Sequence, residues 1–505
     1  MVQWNQSRTG VTVMSQQKYT KRNLWMFPLG TVGRDMSYAL FSNFVLTYIM
    51  FTRSLTAAQL TAVTAIMVAA RVFDALNDPV MGNIIERTRT RFGKFKPWLA
   101  IGAVTTSAVV YAMFNSHFQG WSFIIFFGVI YFLHSITYTM HDISYWGMVA
   151  ALGSDADARN QFTSRATLFA GVGGTLANML IPMFTTGGMT IGGSANVAYG
   201  YIAVAICILS PLFLCFTIFG VKEERRADSE KAPPISFKKI VSTITGNDQL
   251  MWIAVIFLIH QIANGLAVAG IGSTYIYFDF GYSGGLYSLF STVGVLATAF
   301  LMLFYPAISR KIPRKKLMRL MMAASIAGYT VMLLAALLPS TMVKFWIVTL
   351  GYMVANFGLY SFYLVMMISI INTVEYNEYR HGVRDEAIIA SLRPFLTKLA
   401  SALTVAITSL SYIIFGVTSY TNQISSLESA AATGLMTEAE KLTTISEVLM
   451  GVQPWQTRGL YLCMTVLPCL LMLISHMLYQ KHYNLDEQEY ERICNELAQR
   501  KDVNA

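Results

Sequence analysis

Two carboxylates one helical turn apart stand out in the stretch Phe73-Asp-Ala-Leu-Asn-Asp-Pro79, where Asp74 and Asp78 occupy positions i and i+4. On a helix they share one face, with Asn77 on the face beside it. Two ionised carboxylates this close repel each other, and they settle by sharing a proton or by holding a small cation between them. A sodium ion needs several hard oxygens, which Asp74, Asp78, the Asn77 carbonyl and a hydroxyl such as Thr139 can supply. A second set has a different character: Asp35 and Asp142, with Arg165 and Trp146. Carboxylates accept sugar hydroxyls, a guanidinium donates to them, and an indole stacks on a pyranose face. Lys398 and Arg393 are two further charges in an apolar setting.

Each of these residues also has a plainer reading. Asp78-Pro79 fits a helix kink. Arg34-Asp35 fits a structural ion pair, and Arg165 a position at a helix entrance. Lys398 suits a tether to a carboxylate of the first half better than a substrate contact. His134 and His141 read as packing residues rather than pH sensors. In the second half His260, Gln261, Asn264 and Asn356 are neutral hydrogen-bonding groups on apolar segments. They line a cavity or join helices to one another, and the sequence leaves both open.

The elements that must position these groups are membrane spans. The chain has 505 residues, of which 54% are hydrophobic and only 13% charged. A soluble domain carries roughly 25% charge, so too few polar residues exist to cover a surface in water. Spans are expected at about 24–51, 57–85, 97–116, 121–150, 163–187, 198–220, 249–278, 284–308, 317–338, 343–370, 386–417 and 457–481, each near the roughly 20 apolar residues a bilayer needs. Residues 1–22 are polar, and the run that follows is far longer than the core of a cleavable signal, so it reads as a retained first span.

Basic residues alternate with these spans. Arg87, Arg89, Arg91, Lys94 and Lys96 follow the second; Lys222, Arg225, Arg226, Lys231, Lys238 and Lys239 the sixth. Arg310, Lys311, Arg314, Lys315, Lys316 and Arg319 follow the eighth, and Arg380 and Arg384 the tenth. The connections after the odd-numbered spans hold only Arg53, Lys344 and Lys441. The basic set belongs in the cytoplasm together with both termini. The same distribution accounts for the net charge of +10 without a nucleic-acid-binding face. The five cysteines form neither a metal spacing nor a disulfide framework.

The expected fold is therefore an all-α membrane protein with twelve transmembrane helices in two six-helix bundles. The expected division is a cytoplasmic segment at 1–23, a first bundle at 24–220, a cytoplasmic linker at 221–248 with Pro233-Pro234, a second bundle at 249–481 and a cytoplasmic tail at 482–505. The polar outer stretch at 418–456 is expected to be a loop with a short surface helix and receives no function. A basic loop after the second span of each half is weak internal symmetry of the kind seen in transporters. Arg91 and Lys94, beside Gly93, suit a cytoplasmic gate as well as a topology signal.

Depth adds a constraint. Asp35, Asp74 and Lys398 lie about eleven or twelve residues from the expected cytoplasmic ends, roughly 17 Å at the helical rise. Asp78 and Asp142 lie about seven or eight residues in. A buried ionisable group costs about 2.5–3.5 kcal/mol even on insertion scales, so such groups face a cavity or a partner. The acids of three first-half spans share one layer near the midplane, where transporters bind substrates and coupling ions.

At these residues the chain resembles the glycoside–pentoside–hexuronide:cation symporters, the melibiose carrier-like branch of the major facilitator superfamily. The strongest stretch is Arg71-Val-Phe-Asp-Ala-Leu-Asn-Asp-Pro-Val-Met-Gly82 with Thr90-Arg-Phe-Gly-Lys-Phe-Lys-Pro-Trp98, followed by Tyr138-Thr-Met-His-Asp-Ile-Ser-Tyr-Trp146. Gly33-Arg-Asp35, Arg165, Tyr376-Asn-Glu378 and Lys398 fall where family counterparts would. The resemblance covers about residues 24–415. It implies a Na⁺, Li⁺ or H⁺ site at Asp74, Asn77, Asp78 and Thr139, and a sugar site at Arg34, Asp35, Asp142, Trp146 and Arg165. Arg34 replaces a lysine of the melibiose carrier. Arg393-Pro394 replaces neutral polar residues, and a buried arginine there would recognise a carboxylate such as a hexuronide's, pair with an acid, or face the cytoplasmic opening.

The expected activity is cation-coupled sugar import by a monomer in the bacterial inner membrane, with no cofactor beyond the coupling ion and lipid as its surroundings. A lysolipid symporter, known among distant relatives of that family, is the alternative; its cavity would be amphipathic, whereas this cluster is polar. A membrane enzyme would need a metal cluster or a nucleophile–base set near one interface. A sugar sensor would need a signalling domain.

Overall fold

The computed structural model describes residues 6–152, 156–221, 237–267, 270–312, 314–383 and 385–504. Pro233-Pro234, most of the linker's basic residues and Arg384 lie outside them. The helices of the first half are α1 (Gln6–Thr52), α2 (Ala57–Arg87), α3 (Lys96–Phe114), α4 (Gly120–Leu152), α5 (Ala156–Thr185) and α6 (Ala195–Gly220). Then come α7 (Phe237–Gly246), α8 (Asp248–Leu266), α9 (Gly270–Phe280), α10 (Gly284–Lys311), α11 (Arg314–Ala335), α12 (Met342–His381) and α13 (Glu386–Ile414). The chain continues through α14 (Val417–Ala432), α15 (Glu438–Met450), α16 (Pro454–His482) and α17 (Glu487–Asn504).

Local sequence sets the starts of several helices. Thr56 and Gln59 form a reciprocal capping box on α2, Ser194 caps α6, and Thr437 with Glu440 forms a second box on α15. Among the described residues, ten segments are long and apolar enough to cross a membrane. Large apolar side chains such as Ile125, Leu168, Ile208 and Met477 stand exposed on their outer faces. Surface of this kind is stable against lipid, and the chain is a multi-pass membrane protein.

The two halves repeat one packing scheme. In the first, α1 packs on α5 and α6, α2 on α4, and α3 on α4 and α6. In the second, α8 packs on α13 and α16, α10 on α12, and α11 on α12 and α16. The pairs that join the halves obey the same symmetry, α2 with α13 and α5 with α10. The internal repeat, faint in the loop charges, is explicit in the pairing.

Two expectations need correction. The seventh span is built from two helices, α8 and α9, with residues 268–269 outside the described set. The outer stretch at 418–456 is not a loop with one surface helix. It is a two-helix hairpin, α14–α15, with Glu428, Lys441 and Ile445 fully buried. Its short turn can reverse because Gly434 adopts φ +74°.

Candidate functional site

One face of α4 organises the site. Ser135, Thr139, Asp142 and Trp146 follow at i, i+4, i+7 and i+11, a single stripe along the helix. The upper part of the stripe meets α2. The Ser135 hydroxyl donates to Asp74 Oδ1, and the Thr139 hydroxyl donates to Asp78 Oδ1 at 3.3 Å. Both pairs are separated by 61 residues, so two parallel helices place two hydroxyls against two carboxylates like rungs of a ladder.

Each carboxylate also has a cationic neighbour. The Arg71 guanidinium lies 3.8 Å from Asp74 Oδ2, and the Lys398 ammonium donates to Asp78 Oδ2 at 2.5 Å. Lys398 comes from α13, so this pair ties the second bundle to the first, as the tether reading expected. Asn77 stands next to the pair, and its buried Nδ2 has no hydrogen-bond partner among the described residues. Hydroxyl and carboxylate oxygens gathered in one place suit a hard monovalent cation or a proton.

The lower part of the stripe meets α1. Arg34 is buried, and its Nε and Nη2 donate to Asp35 Oδ2 at 3.1 and 2.8 Å. Its Nη1 lies 3.1 Å from Asp142 Oδ1. The guanidinium sits 4.7 Å from the Tyr145 ring centroid and 5.2 Å from that of Trp146. Arg34 is thus consumed in holding two acids and an indole together. Asp35 and Asp142 remain 22% and 33% exposed, and each keeps one carboxylate oxygen without a hydrogen bond among the described residues. Two acceptors beside an aromatic plate are the groups needed to grip a polyhydroxylated ring.

Other predicted residues lie elsewhere. Arg165 is not drawn into this cluster; its guanidinium stacks 5.0 Å from the Trp25 ring. Arg393 is exposed, against the expectation of a buried arginine. Arg393 shares a face of α13 with the buried Ile389 and Leu396, each within about one turn of it, so its exposure follows from what lies across from that point and not from its position around the helix. Lys94 pairs with Glu86 at the end of α2 at 2.7 Å, and Arg91 lies over Phe92 in the same loop, so these contacts are local in the chain. His134 stacks on Phe41 at 3.5 Å, as a packing residue does. His260 bonds the Leu359 carbonyl at 3.0 Å and Asn356 donates to the Gly294 carbonyl at 3.0 Å, which makes both of them helix-joining groups. Ser135 escaped the sequence reading, although a signal was present: it precedes Thr139 by four residues, as Asp74 precedes Asp78.

Comparison with known proteins now has a site to bear on. Residues 26–487 match the family described as MFS/sugar transport protein. The chain belongs to this family. Among curated members of the wider group, a lactose permease of Lactobacillus helveticus is 27% identical over 495 residues, spanning 93% of this chain and 71% of that protein. A raffinose carrier protein of Pediococcus pentosaceus is 24% identical over 490 residues, 94% of this chain and 70% of the carrier. The crystal structure of a D-xylose-proton symporter superposes with a TM-score of 0.55 at 15% identity, covering 92% of this chain and 98% of the symporter. A bacterial homologue of the lysosomal transporter Spinster gives 0.60 at 12% identity, over 93% and 99% of the two chains. At such identities the superpositions establish the major facilitator fold alone.

Proposed function

We propose that this member of the MFS/sugar transport family is a secondary sugar transporter that imports a glycoside, pentoside or hexuronide together with Na⁺ or H⁺. The observation that carries the reading is the α4 stripe. Its upper residues complete a two-carboxylate cation site with α2, and its lower residues complete a hydroxyl-binding site with α1. A cation that draws Asp74 and Asp78 together reorients α4 and with it Asp142 and Trp146. Each ligand then raises the affinity of the other. The relatives named lactose permease, raffinose carrier protein and, in Lactiplantibacillus pentosus, isoprimeverose transporter support a sugar as the cargo.

The basic ends of α2, α12 and their neighbours face the cytoplasm of a bacterial cell, and α14–α15 faces outward. In that orientation the outer end of the seam between the bundles is closed by hydrogen bonds. Gly284 N–H donates to the Thr186 carbonyl at 3.1 Å, and the Ser288 hydroxyl to the Met179 carbonyl at 2.6 Å. The partly exposed Asp35 and Asp142 are then reached from the cytoplasm, so the chain stands inward-facing. Alternating access follows from rocking the two bundles about the α2–α13 and α5–α10 pairs. Lys398 couples the cation to that motion, because it occupies Asp78 from the opposite bundle and must yield when the cation arrives. One inward charge across 100 mV supplies about 2.3 kcal/mol, enough for about fifty-fold accumulation.

Asp78→Cys in membrane vesicles tests the reading. Gradient-driven accumulation of lactose or raffinose should be lost, while sugar exchange at equal concentrations on both sides persists. Accumulation by the variant under a sodium or proton gradient would remove Asp78 from the coupling site.

A further inference from the structure

The hairpin α14–α15 is rooted in the second bundle. Gln456 at the start of α16 donates to the Phe415 carbonyl at 2.8 Å, and the Tyr420 hydroxyl donates to the Gly451 carbonyl at 3.0 Å. From that root it grips the first bundle in two places. Asn422 clasps the end of α1 from both sides: its Nδ2 donates to the Leu55 carbonyl at 2.8 Å, and its Oδ1 accepts the Leu55 N–H at 2.8 Å. One turn further on, Ser426 Oγ lies 3.5 Å from Ser54 Oγ.

The second grip is on the start of α6. Glu428 Oε2 accepts the N–H of Ala195, the first residue of that helix, at 2.7 Å, and the Lys441 ammonium at 3.2 Å. Lys441 in turn donates to the Gly193 carbonyl at 2.7 Å, and Asn196 donates to Ser429 at 3.3 Å. Glu428 and Lys441 are both completely buried. A carboxylate at a helix N-terminus satisfies an amide that the helix itself cannot, and it meets the positive end of the helix dipole. Burial pushes the Glu428 carboxyl up from its usual range, against which Lys441 and the Ala195 amide hold it down. The buried charge therefore depends on both partners.

An ion pair is an odd choice for a permanent glue. Its desolvation offsets much of its attraction, and both charges regain water when the contact opens. That balance suits a contact made and broken in every cycle. We infer that α14–α15 is the outer latch of the transport cycle, with Asn422, Glu428 and Lys441 as its working residues. Closed on the ends of α1 and α6, it holds the outer seam shut. It must release one or both before sugar enters from outside. The inference rests on the orientation and the alternating access proposed above.

Two arms test it. In the first, the native cysteines are replaced by serine and Ser288→Cys serves as a reporter, since Ser288 is buried in the seam, beside the Met179 carbonyl. An impermeant maleimide is applied from outside. Lys441→Met strands the Glu428 charge and should speed labelling about tenfold or more. In the second arm, Ser54→Cys with Ser426→Cys is oxidised to a disulfide in a chain otherwise free of cysteine. Lactose uptake should stop and return on reduction. Unchanged labelling in Lys441→Met, or undiminished uptake by the cross-linked protein, would overturn the latch. If Lys441→Met does not fold, the cross-link decides. If the reduced double variant and the native chain take up no sugar at all, the transport reading fails instead, and labelling decides the latch because it needs no substrate.

Discussion

At the residue scale, the proposed cation site is a matter of paired hydroxyls and carboxylates. A hydrogen bond to a charged group contributes about 1.5–3 kcal/mol, and the Ser135 hydroxyl makes one to Asp74. Ser135→Ala should weaken the apparent affinity for the coupling cation about tenfold. The KM for sugar at saturating cation should stay within about twofold, because Asp142 and Trp146 sit lower on the stripe. Uptake measured as a function of sodium concentration and of pH checks both. A variant with unchanged cation dependence would remove the first rung from the site. Arg34 should behave differently. It holds Asp35, Asp142 and Trp146 at once, so Arg34→Lys, which has one point charge where the guanidinium has a fork, should raise the KM for sugar and spare the cation dependence.

At the element scale, helix approach decides whether the stripe is aimed. The two bundles depend on close pairs, and α11 against α12 is the tightest case in the second. A Cβ at Gly358 would run into the Met321 carbonyl and the Ser325 hydroxyl. Gly358→Val should therefore push α12 off α11 and destabilise the protein by about 1–3 kcal/mol. In detergent this reads as a lower melting temperature, with Gly358→Ala in between. An unshifted melting temperature in Gly358→Val would mean that the bundle yields without cost. The hairpin belongs to the same scale. Its capping box, its Gly434 turn and its clasp on Leu55 make it an element with its own geometry rather than a connection.

At the scale of the whole molecule, the candidate site draws on α1, α2 and α4 of one bundle and on Lys398 of the other. The α2–α13 pair carries Lys398 to Asp78, while the hairpin holds the start of α6 through Glu428. Coupling in this arrangement is reciprocal. Whatever factor saturating cation contributes to sugar affinity, saturating sugar must contribute to cation affinity. Calorimetric titration of each ligand in the presence and absence of the other gives the two factors. Equal factors above one are expected, and a factor of one would separate the two sites.

The sequence by itself determined the class of this protein and how far along their helices its charges lie. An apolar chain with basic alternate loops has few stable solutions in lipid, and the helical rise converts position along a span into depth. That was enough to expect Asp35, Asp74, Asp78 and Asp142 in one layer, and the i, i+4 spacing was enough to expect Asp74 and Asp78 on one helix face. Direction around the helix was harder. Arg393 and Lys398 lie five residues apart on one span, yet only the structure shows that one is exposed and the other reaches Asp78. Partners far apart in the chain were harder still. Lys441 read as one of the few charges in the outer loops, and it is buried against Glu428 and Gly193. Local periodicity records how far along a helix a residue sits. Which helix lies across from it depends on how the two bundles pack, and only the tertiary structure decided that.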